Sequence, residues 1–194
     1  MADAAKGLRV QLADEAELRL LQPADSGRLI ALIERNHDHL MRWHPWVPVL
    51  REAENWDSYI RDNLERYARG EGIACGVWLE GQLVGVAECQ DVNLESRSTE
   101  LGYWLAEEHT GKGLATHACE ALLSYAFNSL KLNRVVIRCP VDHERSARLA
   151  ERLGFTREGR LRANRWLNGA PVDDYIYGLL ADEWTSGSEL MRLS

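Results

Sequence analysis

The chain has 194 residues, of which 45% are hydrophobic and 27% charged, and its formal net charge is −7 at pH 7. This size and apolar share predict an ordinary globular protein with a packed core. The acidic balance argues against nucleic-acid binding, which needs clustered lysine and arginine. Apolar runs of only a few residues exclude a predicted membrane span, and the first ten residues lack the apolar core of a secretory signal, so we expect a cytoplasmic protein.

Cysteine and histidine are scattered along the chain. No C-x-x-C pair occurs, so we expect the cysteines to be reduced and mostly structural. No pair of histidines on one helix is joined by an acid at metal-ligand spacing, so we expect no zinc site. The cysteines are Cys75, Cys89, Cys119 and Cys139.

The first half of the chain predicts a strand, two helices and a strand pair. The alternation in Leu18–Leu21 indicates the first strand, and Pro23 with Asp25 predicts a short capped helix that runs to Arg35. Apolar residues at helical spacing predict a longer helix over Glu52–Arg69. The strand pair that follows is Ile73–Leu79 and Leu83–Cys89, joined by a short turn typical of an antiparallel hairpin.

The second half predicts a crossover and a final hairpin. Its elements in order are a strand over Glu100–Leu105, a helix over Gly113–Leu130, a strand over Arg134–Cys139, a helix that ends at Leu153, and strands over Phe155–Trp166 and Val172–Leu180. This order indicates an α/β fold with a mixed sheet. We expect residues 8–184 to form a single domain and residues 1–7 and 186–194 to be flexible tails.

The most informative segment joins the Glu100–Leu105 strand to the helix after it. Its glycines let the backbone approach an anion, and helix-opening N–H groups have no partner within the helix. The segment therefore predicts a pyrophosphate site, although its spacing fits neither the dinucleotide nor the nucleotide triphosphate loop. It reads Thr110-Gly111-Lys112-Gly113-Leu114-Ala115-Thr116.

The segment resembles the acetyl-CoA loop of the GNAT acyltransferase superfamily, [QR]-x-x-G-x-[GA], with Thr110 where Gln or Arg is usual. A second stretch, Asp142–Phe155, resembles that superfamily's N-x-x-S helix with its Leu-Gly-Phe turn, with His143 where Asn is commonest. Three further stretches resemble the Rim-type N-terminal acetyltransferases of ribosomal proteins. They are Leu40–Trp46, Glu100–Leu105 and Asp174–Trp184.

The resemblance implies a mostly antiparallel sheet of about seven strands with helices on both faces. It implies acetyl-CoA as co-substrate, an amine acceptor and, by analogy with relatives, a homodimer. The fourth and fifth strands would splay apart, which leaves the backbone of Trp104 and Leu105 free to bind the pantetheine arm. The other residues expected to bind the cofactor are Thr110, Gly111, Lys112, Gly113, Leu114, Ala115, Thr116 and His143.

Acetyl transfer needs a base for the amine and an acid for the departing thiolate. Glu100 is the first choice of base because it opens the cofactor strand on the face of Trp104, and Glu88 is the other candidate. Glu100 is alternatively an exposed carboxylate at a strand end.

Ser146 is the predicted acid because it shares a helical stripe with Leu149. The competing interpretation is that its hydroxyl satisfies nearby backbone groups. Tyr177 is the other candidate acid, and His143 at the helix start suggests a cap or a cofactor contact.

Two segments are predicted to form the pocket for the amine acceptor. We expect an ordered loop over His37–Pro48 and the hairpin over Arg162–Val172 to shape the pocket, with Trp56 and Trp78 in the core. An α-amine with a pKa near 7.8 is easier to deprotonate than lysine at about 10.4, by roughly 3.5 kcal/mol, which favours a protein N-terminus. Polyamines and antibiotics stay open as acceptors. The alternative is a non-catalytic module that binds acyl-CoA. The departures from the motif at the cofactor positions support it.

Overall fold

A computed structural model describes residues 7–13, 15–47 and 53–185. The predicted tails, apart from Gly7, lie outside these ranges, as do Pro48 and Glu52 at the ends of two predicted segments. The described part of the chain forms one sheet of eight strands. They are β1 (Arg9–Ala13), β2 (Ala16–Leu20), β3 (Ile73–Leu79), β4 (Gln82–Asn93), β5 (Ser98–Leu105), β6 (Arg134–Pro140), β7 (Thr156–Leu167) and β8 (Ala170–Leu180).

The sheet is mixed, in the order β1-β2-β3-β4-β5-β6-β8-β7. Every neighbouring pair is antiparallel except β5 and β6, which are parallel. The predicted fold class is confirmed, with eight strands where about seven were expected. The additional strand is β1, which pairs with β2 at the edge of the sheet. Its alternation of Val10 and Leu12 is too short to predict a strand from sequence.

Helices cover both faces of this sheet. Their bounds are α1 (Ser26–Arg35), α2 (His37–Met41), α3 (Ala53–Arg69), α4 (Leu114–Ser124) and α5 (Glu144–Arg152). The predicted helix after the glycine loop is α4, which a π-helical turn over Tyr125–Ser129 extends almost to the expected end. The segment expected to be a loop from His37 onward begins with α2, because no proline or glycine interrupts the chain before Pro45.

Two apolar cores form, one on each face. The first lies between the sheet and α4 and α5, and includes Leu122 and Leu149. The second lies between the sheet and α1, α2 and α3, and holds Trp56 and Trp78, both buried as predicted. All four cysteines are free and buried. Among the described residues, we find no helix that combines the length and the apolar character needed to span a membrane.

The strands β5 and β6 pair over only three residues each. Their register joins Ser98 to Arg134, Thr99 to Val135 and Glu100 to Val136. Beyond Glu100 the two strands diverge, and the backbone of β5 from Leu101 onward has no partner on β6. The expected splay is therefore present, and it forms a fork that opens toward the start of α4.

Candidate active site

A cleft of about 670 Å³ occupies this fork. Nine of the ten predicted cofactor residues line it, together with Ser146. The exception is Lys112, whose side chain is exposed to solvent outside the lining. The nine are Trp104, Leu105, Thr110, Gly111, Gly113, Leu114, Ala115, Thr116 and His143.

The glycine loop has the backbone that a phosphate cradle needs. Gly111 and Gly113 adopt φ values of 77° and 84°, in the left-handed region that disfavours side chains. Gly113 is the N-cap of α4 and supplies no side chain to cap it, so the first N–H groups of α4 are left for a ligand. Those groups and the helix dipole favour an anion. The loop therefore fits the pyrophosphate of acetyl-CoA.

Thr110, the first departure from the family motif, has a partner across the cleft. Its hydroxyl donates to the carbonyl of Glu107 at 2.8 Å and accepts from Nη1 of Arg145 at 3.2 Å. A cation from α5 thus lies beside Thr110. Arg148 and Arg152 line the same cleft. Sequence reasoning missed these three arginines, although their spacing of three and four residues places them on one face of a helix.

His143, the second departure, caps α5. Its Nδ1 accepts from the backbone N–H of Ser146 at 3.4 Å, the bond that an asparagine cap would make. Its ring stacks on Trp43 with 4.0 Å between centroids. Burial lowers the pKa of His143 to about 4, so the ring is neutral near pH 7 and able to accept this bond.

Ser146 is buried at the floor of the cleft. Its hydroxyl oxygen accepts a hydrogen bond from the hydroxyl of Tyr103 at 2.9 Å. Tyr177, the other candidate acid, is fully buried on β8 and does not line the cleft, and its hydroxyl donates to Glu151 at 3.5 Å. Ser146 is thus the candidate acid that reaches the cofactor cleft.

Glu100 lies at the vertex of the fork, where pairing between β5 and β6 ends. One of its carboxylate oxygens accepts from Nε of Arg138 at 2.9 Å and also contacts Nη2 of the same arginine. This bond raises the pKa of Arg138. Glu100 lines neither the cofactor cleft nor the cavity described next.

A second cavity of about 460 Å³ opens on the other face of the sheet, beside α3. Trp104 contributes to the walls of both cavities. Four aromatic side chains surround this second space, which we call the aromatic cavity. They are Trp46, Trp56, Tyr59 and Trp104, with ring centroids 5.5 to 6.2 Å apart between neighbours.

Glu88 is the carboxylate at the wall of the aromatic cavity. It accepts from the hydroxyl of Tyr59 at 3.0 Å and from the side-chain amide of Gln90. Burial raises the pKa of Glu88, and the hydrogen bonds from Gln90 and Tyr59 oppose that rise only in part. Glu88 on β4 faces Gly102 on β5, where an added Cβ atom would lie 3.5 Å from the carboxylate, an ordinary contact distance.

Of the two segments expected to shape the acceptor pocket, one contributes to the cavities and the other does not. Trp46 lies at the aromatic cavity, and Trp43 lines the cofactor cleft. The hairpin over Arg162–Val172 lines neither space; its Arg165 instead pairs with buried Asp174 at 2.8 Å.

Comparison with known protein families decides the kind of enzyme. Residues 16–156 match the model of the acetyltransferase (GNAT) domain. The chain belongs to the GNAT superfamily. This GNAT protein is an acetyl-CoA-dependent N-acetyltransferase, which replaces the alternative of a non-catalytic module.

Curated relatives place this GNAT enzyme near the Rim-type branch. It is 38% identical over 86% of its length to 92% of a Bacillus subtilis (strain 168) protein named "Putative ribosomal N-acetyltransferase YdaF". It is 29% identical over 89% of its length to 97% of the ribosomal-protein-serine acetyltransferase of Escherichia coli (strain K12). A spermidine N(1)-acetyltransferase of Vibrio cholerae is 28% identical over 89% of this chain and 96% of its own.

A solved structure has the same fold. RimL, described as a ribosomal L7/L12 α-N-protein acetyltransferase in complex with coenzyme A, superposes with a TM-score of 0.86. The match covers 90% of this chain and 99% of RimL, at 24% sequence identity. The likeness shows that the two proteins share the GNAT architecture.

Proposed function

We propose that this enzyme acetylates the N-terminal α-amine of a protein, with ribosomal proteins as the acceptor class. The observation that carries the proposal is the aromatic cavity, which shares Trp104 with the cofactor cleft and holds Glu88 at its wall. The names of the Bacillus subtilis and Escherichia coli relatives support the ribosomal class.

The aromatic cavity suits an amine that arrives charged. The faces of Trp46 and Trp104 attract an ammonium group through their quadrupoles, and the nearby carboxylate adds a full charge. An α-amine with a pKa of about 7.8 then needs to lose one proton before it attacks. With a volume of about 460 Å³, the cavity has room for the first residue of a peptide chain.

We assign the base to Glu88 in preference to Glu100. A general base works best when its pKa lies near the operating pH, and burial raises the pKa of Glu88 toward that range. Glu100 is engaged by Arg138, which occupies one of its oxygens. Glu88 accepts the proton of the amine, and the neutral nitrogen attacks.

The remaining roles fall to the cofactor cleft. Acetyl-CoA supplies an activated acetyl group as a thioester. The N–H groups that open α4 and the guanidinium of Arg145 hold the pyrophosphate, and the unpaired backbone of β5 aligns the pantetheine arm. Ser146 gives a proton to the departing sulfur.

A polyamine is the second candidate acceptor. Asp62 also lines the aromatic cavity, and a second carboxylate would suit a second ammonium group. Arg66 lines the same cavity, however, and although Asp91 pairs with it at 3.2 Å, its positive charge disfavours a second ammonium group there. The V. cholerae relative keeps the polyamine candidate worth testing.

The test is an acceptor comparison under one set of conditions. Purified enzyme and acetyl-CoA are incubated with a lysine-free peptide that begins with serine, the same peptide with a blocked N-terminus, spermidine, and an aminoglycoside. We expect release of free CoA with the unblocked peptide, and mass spectrometry should locate the acetyl group on its α-amine. Turnover of spermidine or the aminoglycoside alone would refute the protein acceptor.

A further inference from the structure

Tyr103 lies in the second half of β5. It lies beyond Glu100, in the stretch of β5 that has left β6. Alternation along the strand places Trp104 on the side of the aromatic cavity and Tyr103 on the opposite face, toward α5. Its side chain lines the cofactor cleft.

The hydroxyl of Tyr103 bonds to that of Ser146. It donates to Ser146 Oγ at 2.9 Å, across 43 residues of sequence. Burial holds the pKa of Tyr103 well above its ordinary value of 10, so the phenol keeps its proton throughout the neutral and mildly alkaline range.

This bond decides where the Ser146 proton goes. A serine hydroxyl has one proton to give and two lone pairs to accept with. Early in a helix, such a hydroxyl commonly turns back onto the backbone. Here Tyr103 takes one lone pair of the Ser146 oxygen, and the hydrogen bonds found among the described residues include none from the Ser146 hydroxyl to a backbone carbonyl. The Cys139 thiol lies within hydrogen-bond reach of this hydroxyl, and as a weak acceptor it leaves the Ser146 proton available to a stronger acceptor in the cleft.

We propose that Tyr103 is a positioning residue of acetyl transfer, because its hydroxyl orients Ser146 so that the Ser146 O–H points at the departing sulfur. This inference rests on the role of Ser146 in the proposed function. After Glu88 has taken the first amine proton, the neutral nitrogen bonds to the acetyl carbon, the carbon–sulfur bond breaks, and its electron pair stays on sulfur. Sulfur takes the Ser146 proton. The second proton of the nitrogen, lost as the amide forms, returns through water to Ser146, and Glu88 releases the first amine proton to water. Tyr103 neither gains nor loses a proton.

The test is a double-mutant cycle with Tyr103→Phe and Ser146→Ala. Rates are measured as CoA release with acetyl-CoA and whichever of the peptide, spermidine and aminoglycoside acceptors the wild type uses fastest, because protonation of sulfur does not depend on the acceptor. Ser146→Ala should lower kcat about 100-fold. Tyr103→Phe should lower kcat about tenfold and leave the KM for acetyl-CoA unchanged, and it should have no further effect in the Ser146→Ala background.

Tyr175→Phe is the matched control, since it removes a hydroxyl from β8 outside the cleft. It should leave kcat unchanged. An equal loss from Tyr103→Phe with and without the Ser146 hydroxyl, or a rise in KM alone, would overturn the positioning role and leave the acetyl-transfer assignment standing. Wild-type kcat in Ser146→Ala would overturn both the acid assignment and the inference about Tyr103.

Discussion

Arg145 donates a hydrogen bond to Thr110 across the mouth of the cofactor cleft, with 3.2 Å between Nη1 and Oγ1. The bond ties the start of α5 to the glycine loop before α4. It places a guanidinium beside the residue that departs from the family motif. The guanidinium beside Thr110 is therefore supplied by a residue that is distant in sequence.

Removal of this arginine should weaken cofactor binding. A charged hydrogen bond is worth roughly 1.5 to 3 kcal/mol, so we expect Arg145→Ala to raise the Kd for acetyl-CoA at least tenfold in a calorimetric titration. Arg157→Ala, which removes an exposed arginine from β7, serves as control and should bind normally. In the Arg145→Ala background, Thr110→Arg should regain part of the affinity. Normal acetyl-CoA binding by Arg145→Ala would contradict a role for Arg145 in holding the cofactor.

The loop glycines are needed for their backbone conformation. Gly111 has φ 77°, and a Cβ atom there would meet nothing within 4 Å, so any cost of Gly111→Ala is conformational. We expect a loss of about 1 to 2 kcal/mol in the free energy of unfolding by urea, together with weaker acetyl-CoA binding.

Gly27→Ala is the matched substitution for Gly111→Ala. Gly27 lies within α1, also with nothing within 4 Å of a new Cβ and without a positive φ. Alanine there should stabilise the protein by about 0.4 to 1 kcal/mol. If both variants changed stability in the same direction, the conformational explanation would be wrong.

His44 should make the enzyme sensitive to acid. Burial is the main cause that lowers its pKa from 6.5 to about 3, and the neighbouring His143 ring and Arg165 guanidinium add to the effect. Below pH 6.5 the unfolded chain binds a proton that the folded protein does not bind, so the stability present above pH 6.5 declines until the pH reaches the folded pKa. The cost approaches about 1.4 kcal/mol per pH unit.

Urea unfolding between pH 7.5 and 5 checks this effect. His44→Asn removes the titrating ring, so its free energy of unfolding should fall less steeply with pH than that of the wild type. The control, His117→Asn, removes an exposed histidine from α4 and should keep the wild-type slope. Identical slopes in all three proteins would rule out His44 as the source.

The cofactor half of the site could be predicted from sequence because its signals are local. Gly111 and Gly113 specify a left-handed loop before a helix, and Ser146 falls on the buried stripe of the next helix. The strand β1 was missed because a five-residue edge strand with two apolar positions carries little periodicity.

The choice between Glu88 and Glu100 could not be predicted in the same way. Both carboxylates lie on one face of the sheet. Alternation along each strand therefore does not show which of the two reaches the acceptor amine. The register of β4 on β5 sets Glu88 opposite Gly102, and the reach of Arg138 from β6 engages Glu100. Both relationships join residues that are far apart in sequence.

The most direct test of the account is the pH dependence of kcat/KM for the unblocked serine peptide with Glu88→Gln and Glu100→Gln. A base is needed only while the amine is charged, so the loss in Glu88→Gln should be about 100-fold at pH 6.5 and should shrink as the pH passes the amine pKa of about 7.8. Glu100→Gln should keep the shape of the wild-type profile. The opposite assignment, with the pH-dependent loss in Glu100→Gln and a wild-type profile in Glu88→Gln, would contradict the central claim that Glu88 deprotonates the acceptor in the aromatic cavity.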